Sequence, residues 1–205
     1  MERPEKQLIA DLKKAGFNFR DIDHLFRQKR HLPITAVNII LKWLPDVYNK
    51  HLGSGDCLVR SLIAKTDQYD PGILIDLFEN SNYNESIKWT IAYVLSITNT
   101  TPIGDWLLSQ LLDKEHSFAR AGLLAGIVLK GNFSSSDELR SFLLKIFDKY
   151  CRYETFQKLI QKYAALEDVQ IIEEKAAQIA DKSTQKALQK VVDKIRARKR
   201  LSKYP

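Results

Sequence analysis

Cysteine is nearly absent from this 205-residue sequence, which has only Cys57 and Cys151. Two thiols are too few for a disulfide scaffold or a cysteine-based zinc site, and they point to reduced cysteines and a cytoplasmic location. Long apolar runs are missing too. The longest small-apolar stretch, Ala121 to Leu129, falls far short of the roughly 20 residues that a membrane-spanning helix needs, so no membrane partner is expected. The opening residues Met1 to Lys6 carry charge of both signs and lead into no apolar segment. No signal peptide is expected, and the whole chain is expected to be the mature protein. Glycine is sparse, with eight residues, and none stands in a Gly-x-Gly-x-x-Gly, Gly-x-x-x-x-Gly-Lys or Gly-x-Ser-x-Gly pattern. A phosphate cradle and a serine-hydrolase elbow both lack their geometry.

The four histidines, His24, His31, His51 and His116, form no His-x-x-x-His or His-Glu-x-x-His pair, so no metal and no cofactor are expected. Cys57 follows Asp56 and has no histidine that the sequence can place beside it, and Cys151 follows Tyr150. Both read as small buried or half-buried hydrophobes without an activated thiolate. The three tryptophans, Trp43, Trp89 and Trp106, fall in apolar helix stripes, which assigns them to the core.

Helix signals are dense. Leu139, Phe142, Leu143, Ile146, Phe147 and Tyr150 have one-faced helical spacing, which returns at Phe156, Leu159, Ile160, Tyr163 and Ala164. Ser135 with Glu138 predicts a capping box. Pro4 and Gly16 bracket one helix, Pro33 and Pro45 another, Pro71 precedes a third, and Asn84 caps a fourth. Thr101-Pro102 opens a further helix, and Ser117 starts one that Gly131 ends. The sum is about ten short helices joined by short loops, read as one all-α domain over residues 1–205.

The segment from Asn84 to Leu129 carries Trp106-Leu107-Leu108-Ser109-Gln110-Leu111-Leu112-Asp113, then Arg120 ahead of Ala121, Gly122, Ala125 and Gly126. A weaker copy has Leu44-Pro45-Asp46 followed by Arg60. This resembles HEAT repeats. The resemblance implies a right-handed α-solenoid of short antiparallel helical hairpins, with small residues where helices pack closely and with Arg60 and Arg120 paired to Asp46 and Asp113. Arg120→Ala is accordingly expected to destabilise more than Lys130→Ala. HEAT-like proteins include scaffolds, inhibitors, bacterial immunity proteins and DNA glycosylases, so the resemblance leaves several functions open.

Charge is uneven. No Lys or Arg stands between Lys65 and Lys88, where Asp67, Asp70, Asp76, Glu79 and Glu85 alternate with Tyr69 and Tyr83. These seven residues predict an acidic, aromatic-bearing surface for a basic protein partner, as in an inhibitor or an immunity protein that holds a basic toxin domain. A second basic cluster holds Arg20, Arg27, Lys29, Arg30 and His31. The alternative reading is nucleic-acid binding through the basic C-terminal helix at Lys190, Lys194, Arg196, Arg198, Lys199 and Arg200. The apolar stripe of that helix, Ala187, Leu188, Val191, Val192 and Ile195, stops before Arg196, so its basic end at about 196–205 is expected to project into solvent. A DNA glycosylase-like enzyme is the one catalytic alternative, and the pattern of that family is not visible here.

Overall fold

A computed structural model describes residues 3–28, 31–64, 66–113 and 117–201, with side chains through Arg198. Among them are thirteen α-helices, two 3-10 segments and no strand, and no helix is long and apolar enough to cross a membrane. The helices come in pairs: α1 (Pro4–Lys14) with α2 (Ile22–Arg27), α3 (Ile34–Lys50) with α4 (Leu52–Ser61), and α5 (Gly72–Asn80) with α6 (Glu85–Ile97). Next, α7 (Gly104–Leu112) is followed by a 3-10 segment, Ala119–Gly126, and its continuation α8 (Ile127–Lys130). Then α9 (Ser136–Lys145) and α10 (Phe147–Tyr150) precede α11 (Glu154–Tyr163), and after a 3-10 turn at Leu166–Asp168 come α12 (Val169–Ala177) and α13 (Lys182–Leu201).

The chain divides into two compact units, one of residues 1–110 and 117–131, the other of residues 111–116 and 132–205. In the first, α3 packs on α1 and α5 while α4 packs on α2 and α6, so the first and second helices of successive pairs form separate rows. The loops at one edge are tied together. Leu32 bridges Thr66, Tyr69 bridges Thr100, and the Thr101 N–H donates to the Tyr69 carbonyl at 2.8 Å. In the second unit α11 packs on α9 and α13, and α12 packs on α13. Its core is aromatic, with Phe147 edge-on to Phe156 at 5.7 Å between ring centres.

Several helix ends follow from local chemistry. Gly16 takes φ +92, and the Phe17 and Gly16 N–H groups return to the Leu12 and Lys13 carbonyls, closing α1. Asn84 accepts from Ile87 N–H at 3.1 Å. Ser135 accepts from Glu138 N–H as the capping box requires, but the Glu138 carboxylate takes the Ser134 N–H, one residue earlier than that motif places it. The residues expected as one stripe from Leu139 to Tyr150 are all buried, though the backbone breaks at Ile146 into α9 and α10.

Four expectations are corrected. The helix count exceeds ten, in part because the chain breaks at Ile146 into α9 and α10. Helix α3 does not stop at Pro45 but runs through it to Lys50, because Val47 and Tyr48 beyond the proline are buried at 0% and 1% exposure. Their burial outweighs the roughly 3 kcal/mol that an interior proline costs. Helix α7 begins at Gly104, two residues after Pro102. Arg60 pairs with Asp56 on its own helix at 2.6 Å, not with Asp46, since positions four apart share a helix face, and its guanidinium also donates to Thr90 Oγ1.

The segment after Ser117 is wound as a 3-10 helix over eight residues, long for that conformation. It lies directly on the α6 backbone. A Cβ placed on Gly122 would stand 2.7 Å from the Trp89 carbonyl oxygen, and one on Gly126 would stand 2.0 Å from the Ser96 carbonyl oxygen. Neither atom can give way without moving a helix. Gly53, also helical, has nothing within 4 Å of the same position. Gly126→Ala is therefore expected to destabilise the fold by several kcal/mol or to prevent folding. Gly53→Ala should stabilise it by about 0.4–1 kcal/mol. Urea midpoints check this, and equal midpoints for the two variants would refute the close contact.

Candidate functional site

The acidic segment is placed largely inside the fold's own hydrogen bonding. Asp67 sits in the loop after α4, where its carboxylate accepts from Ile34 N–H at 3.0 Å, capping α3, and lies 2.9 Å from His31 Nε2. Asp70 accepts from Gly72 N–H at 2.9 Å at the start of α5. Glu79 on α5 accepts from Trp106 Nε1 at 2.7 Å and Gln110 Nε2 at 2.9 Å. Glu85 opens α6 and accepts from Ala119 N–H at 2.8 Å, capping the 3-10 segment. Asp76 touches only Asn80 of its own helix, at 2.8 Å.

The two tyrosines do not form the surface expected of them. Tyr69 is 1% exposed, and its hydroxyl lies 2.6 Å from Thr98 Oγ1, so it is a core residue. Tyr83 is half-buried against Tyr48, 5.0 Å between ring centres, and donates to Asn49. Of the seven residues, Asp70 and Asp76 remain exposed without binding a neighbouring helix.

The tryptophans are half-buried at helix edges instead of lying in the core. Trp43 Nε1 donates to Asp11 at 2.9 Å, a bond that holds the Asp11 carboxyl below its ordinary range. Trp89 stacks on Tyr93 and on Phe118 at 5.3 and 6.1 Å. Each described histidine has a polar neighbour: His24 with Arg20 N–H and Gln28, His31 with Asp67, and His51 with Glu5 at 3.8 Å. His116, Lys29 and Arg30 lie outside the described residues. Burial pushes the thiols of Cys57 and Cys151 above their ordinary values, which disfavours thiolate. No group of three or more His, Cys, Asp or Glu among the described residues could hold a metal.

The basic helix α13 is built differently. Asp181 caps it, accepting from Thr184 N–H at 2.8 Å and from the Thr184 hydroxyl at 2.6 Å, and these bonds hold the carboxyl below its ordinary range. Leu188, Val191, Val192 and Ile195 are buried on one side. Lys182, Lys186, Lys190 and Lys194 stand four residues apart on the opposite, exposed side, one ammonium about every 6 Å along the axis. Lys194 reaches Gln161 Oε1 at 3.2 Å, and Lys182, Lys186 and Lys190 form no ion pair among the described residues. Lys182 and Lys186 were left out of the expected site, although their spacing was readable.

At the end of α13, Arg196, Ala197 and Arg198 are exposed, as expected, while both arginines also reach neighbouring helices. Arg196 pairs with Glu173 of α12 at 2.9 Å. Arg198, three residues beyond Ile195 and so on the docked side, donates to the Lys162 and Ala164 carbonyls at 2.8 and 3.0 Å, where α11 ends with unpaired acceptors. Lys190 and Lys194 thus lie on the open face, Arg196 and Arg198 are engaged by the fold, and the side chains of Lys199 and Arg200 lie outside the described residues.

Two clefts open in the first unit. One, of about 540 Å³, is lined by Arg3, Glu5, Trp43, Asp46 and His51 among others, and the second, of about 400 Å³, shares Glu5 and includes Arg20, Asp21 and Ser54. Lys130 is half-buried. Its Nζ lies 2.5 Å from Thr100 Oγ1, and burial pulls its pKa down to about 8.

Asp67→Ala is expected to cost about 1 kcal/mol of stability as a lost cap, and Asp76→Ala less than about 0.5 kcal/mol, read from urea midpoints. Equal losses would show that the Asp67 cap contributes nothing. The Lys130 shift has a definite sign. Its folded pKa lies below the unfolded value, so the unfolded chain binds more protons between about pH 8 and 10.5. The charged amine therefore opposes folding below pH 8, and that opposition fades as pH rises to 10.5. Lys130→Met should raise the melting temperature at neutral pH, and the gap should close across that window; a constant gap would refute the assignment. Compared with protein-family models, curated proteins and solved structures, the chain matched none.

Proposed function

We propose that this protein is a non-catalytic binding protein whose ligand is a nucleic acid, held through the lysine face of α13. One observation carries the reading. Helix α13 holds eight Lys and Arg against Asp193 alone, and the rest of the sequence balances at 24 basic and 24 acidic residues, so the formal net charge of +7 is the charge of this helix. Four of its lysines occupy the face opposite the buried stripe, where phosphates can replace water and release counterions. Non-catalytic action fits the raised thiol pKa values and the engaged histidines. Two free cysteines fit a cytoplasmic location.

The helical pairs of the first unit are read as HEAT-like solenoid repeats. Support comes from the recurring helix pairs, the separate helix rows and the contact through Gly122 and Gly126.

A second reading keeps one observation. Asp70 and Asp76 are exposed beside Ile73, itself 37% exposed, and no Lys or Arg stands between Lys65 and Lys88. An inhibitor or immunity protein for a basic toxin domain would use that surface.

Salt titrations of binding to single-stranded RNA and to duplex DNA test the first reading. Replacing Lys182, Lys186, Lys190 and Lys194 by Gln should weaken binding and flatten the logarithmic salt slope by about 3, because each lost phosphate contact removes about 0.7–0.9. An unchanged slope sinks the reading. Affinity capture after nuclease treatment addresses the second: a retained basic protein that Asp70→Asn with Asp76→Asn releases would favour it.

A further inference from the structure

The basic row of α13 does not keep to one line along the helix. A step of four residues carries an α-helix about 40° beyond a full turn, so Lys182, Lys186, Lys190, Lys194 and Arg198, all exposed, wind about 160° around α13 over about 24 Å. The contacts show where the row arrives. Lys194 reaches Gln161 Oε1 of α11 at 3.2 Å, and Arg198 donates to the Lys162 and Ala164 carbonyls at 2.8 and 3.0 Å. The row therefore starts on the open side of α13 and ends at the C-terminus of α11.

Tyr163 stands between those two carbonyls. It is half-buried, and the ammonium of the exposed Lys162 lies 5.1 Å from its ring centre. The other described aromatic residues of the second unit pack on one another: Phe133 on Phe142, Phe147 on Phe156, and Tyr150 on Tyr153 and Phe156. Tyr163 alone among them meets no second ring, and its hydroxyl has no hydrogen-bond partner among the described residues. A line of cations can track a phosphate backbone, and a ring without a ring neighbour at the end of that line offers a stacking face. Duplex DNA or RNA can use only the cations, because its bases are already paired and stacked on each other. An unpaired base can use both.

We propose that the nucleic acid held by α13 is single-stranded, with its backbone along Lys182 to Arg198 and an unpaired base stacked on Tyr163 beside Lys162. The inference rests on the reading of α13 as a nucleic-acid surface and adds the strand form of the ligand. Every base has a flat face, so the site selects an unpaired strand and not a sequence.

Fluorescence anisotropy of the full chain with a labelled oligothymidylate, and with labelled duplex DNA of the same length, tests this across a salt series. Tyr163→Leu keeps apolar packing at the position but removes the ring, and Tyr163→Phe keeps the ring. Tyr163→Leu should weaken binding of the single strand about five-fold or more. Its logarithmic salt slope should match that of the parent, since no charge is lost, and its duplex binding should be unchanged. Tyr163→Phe should bind both ligands as the parent does. If Tyr163→Leu holds the single strand as tightly as Tyr163→Phe, or loses duplex binding to the same extent, the inference is overturned while the lysine face stands. A salt slope that survives replacement of the four lysines by Gln overturns both.

Discussion

The first unit depends on a contact made without side chains. Gly122 and Gly126 bring the 3-10 segment so close to α6 that the nearest atoms across the gap are backbone carbonyls at Trp89 and Ser96. Only glycine fits there, because an added methyl would overlap backbone that cannot rotate aside. The Ser96 hydroxyl lies 3.3 Å from the Gly122 carbonyl across the gap, and the Glu85 carboxylate caps the segment at Ala119. The same approach brings Phe118 against Trp89, which continues the stack to Tyr93. Close packing of the 3-10 segment on α6 thus depends on two glycines four residues apart.

Charge in this chain serves two different purposes, and composition alone does not separate them. The carboxylates of Asp67 and Glu85 each satisfy a backbone N–H far along the chain, 33 and 34 residues away, at Ile34 and Ala119. Such N–H groups at helix starts have no partner within the helix, and a nearby carboxylate both accepts from them and meets the positive end of the helix dipole. An acidic run between helices is what this demand produces. The lysines of α13 satisfy no comparable internal demand, since a helix flank offers no free acceptor, and their excess over acids is unbalanced along the whole helix. That contrast moves the functional reading from the acidic segment to the basic one.

Lys130 shows the same point in one side chain. A lysine is ordinarily a solvated charge, yet here burial without a carboxylate lowers its proton affinity, while Arg196 and Arg198, though exposed, also reach α12 and the end of α11. Arginine is suited to that position because its planar fork reaches two carbonyls at once.

The all-helical class, the closure of α1 at Gly16, the caps at Asn84 and Ser135 and the buried stripe of α9 and α10 were determined by the sequence alone. Each depends on residues within one or two turns of one another. The four-residue spacing of the α13 lysines was equally local. Only tertiary structure decided that α3 passes through Pro45, that Tyr69 is buried, that Arg60 reaches Thr90, and that Asp67, Glu79 and Glu85 accept from groups on other elements. In each case the partner lies on another element, or burial beyond a break outweighs the local preference. Such energies depend on distances that no local spacing encodes.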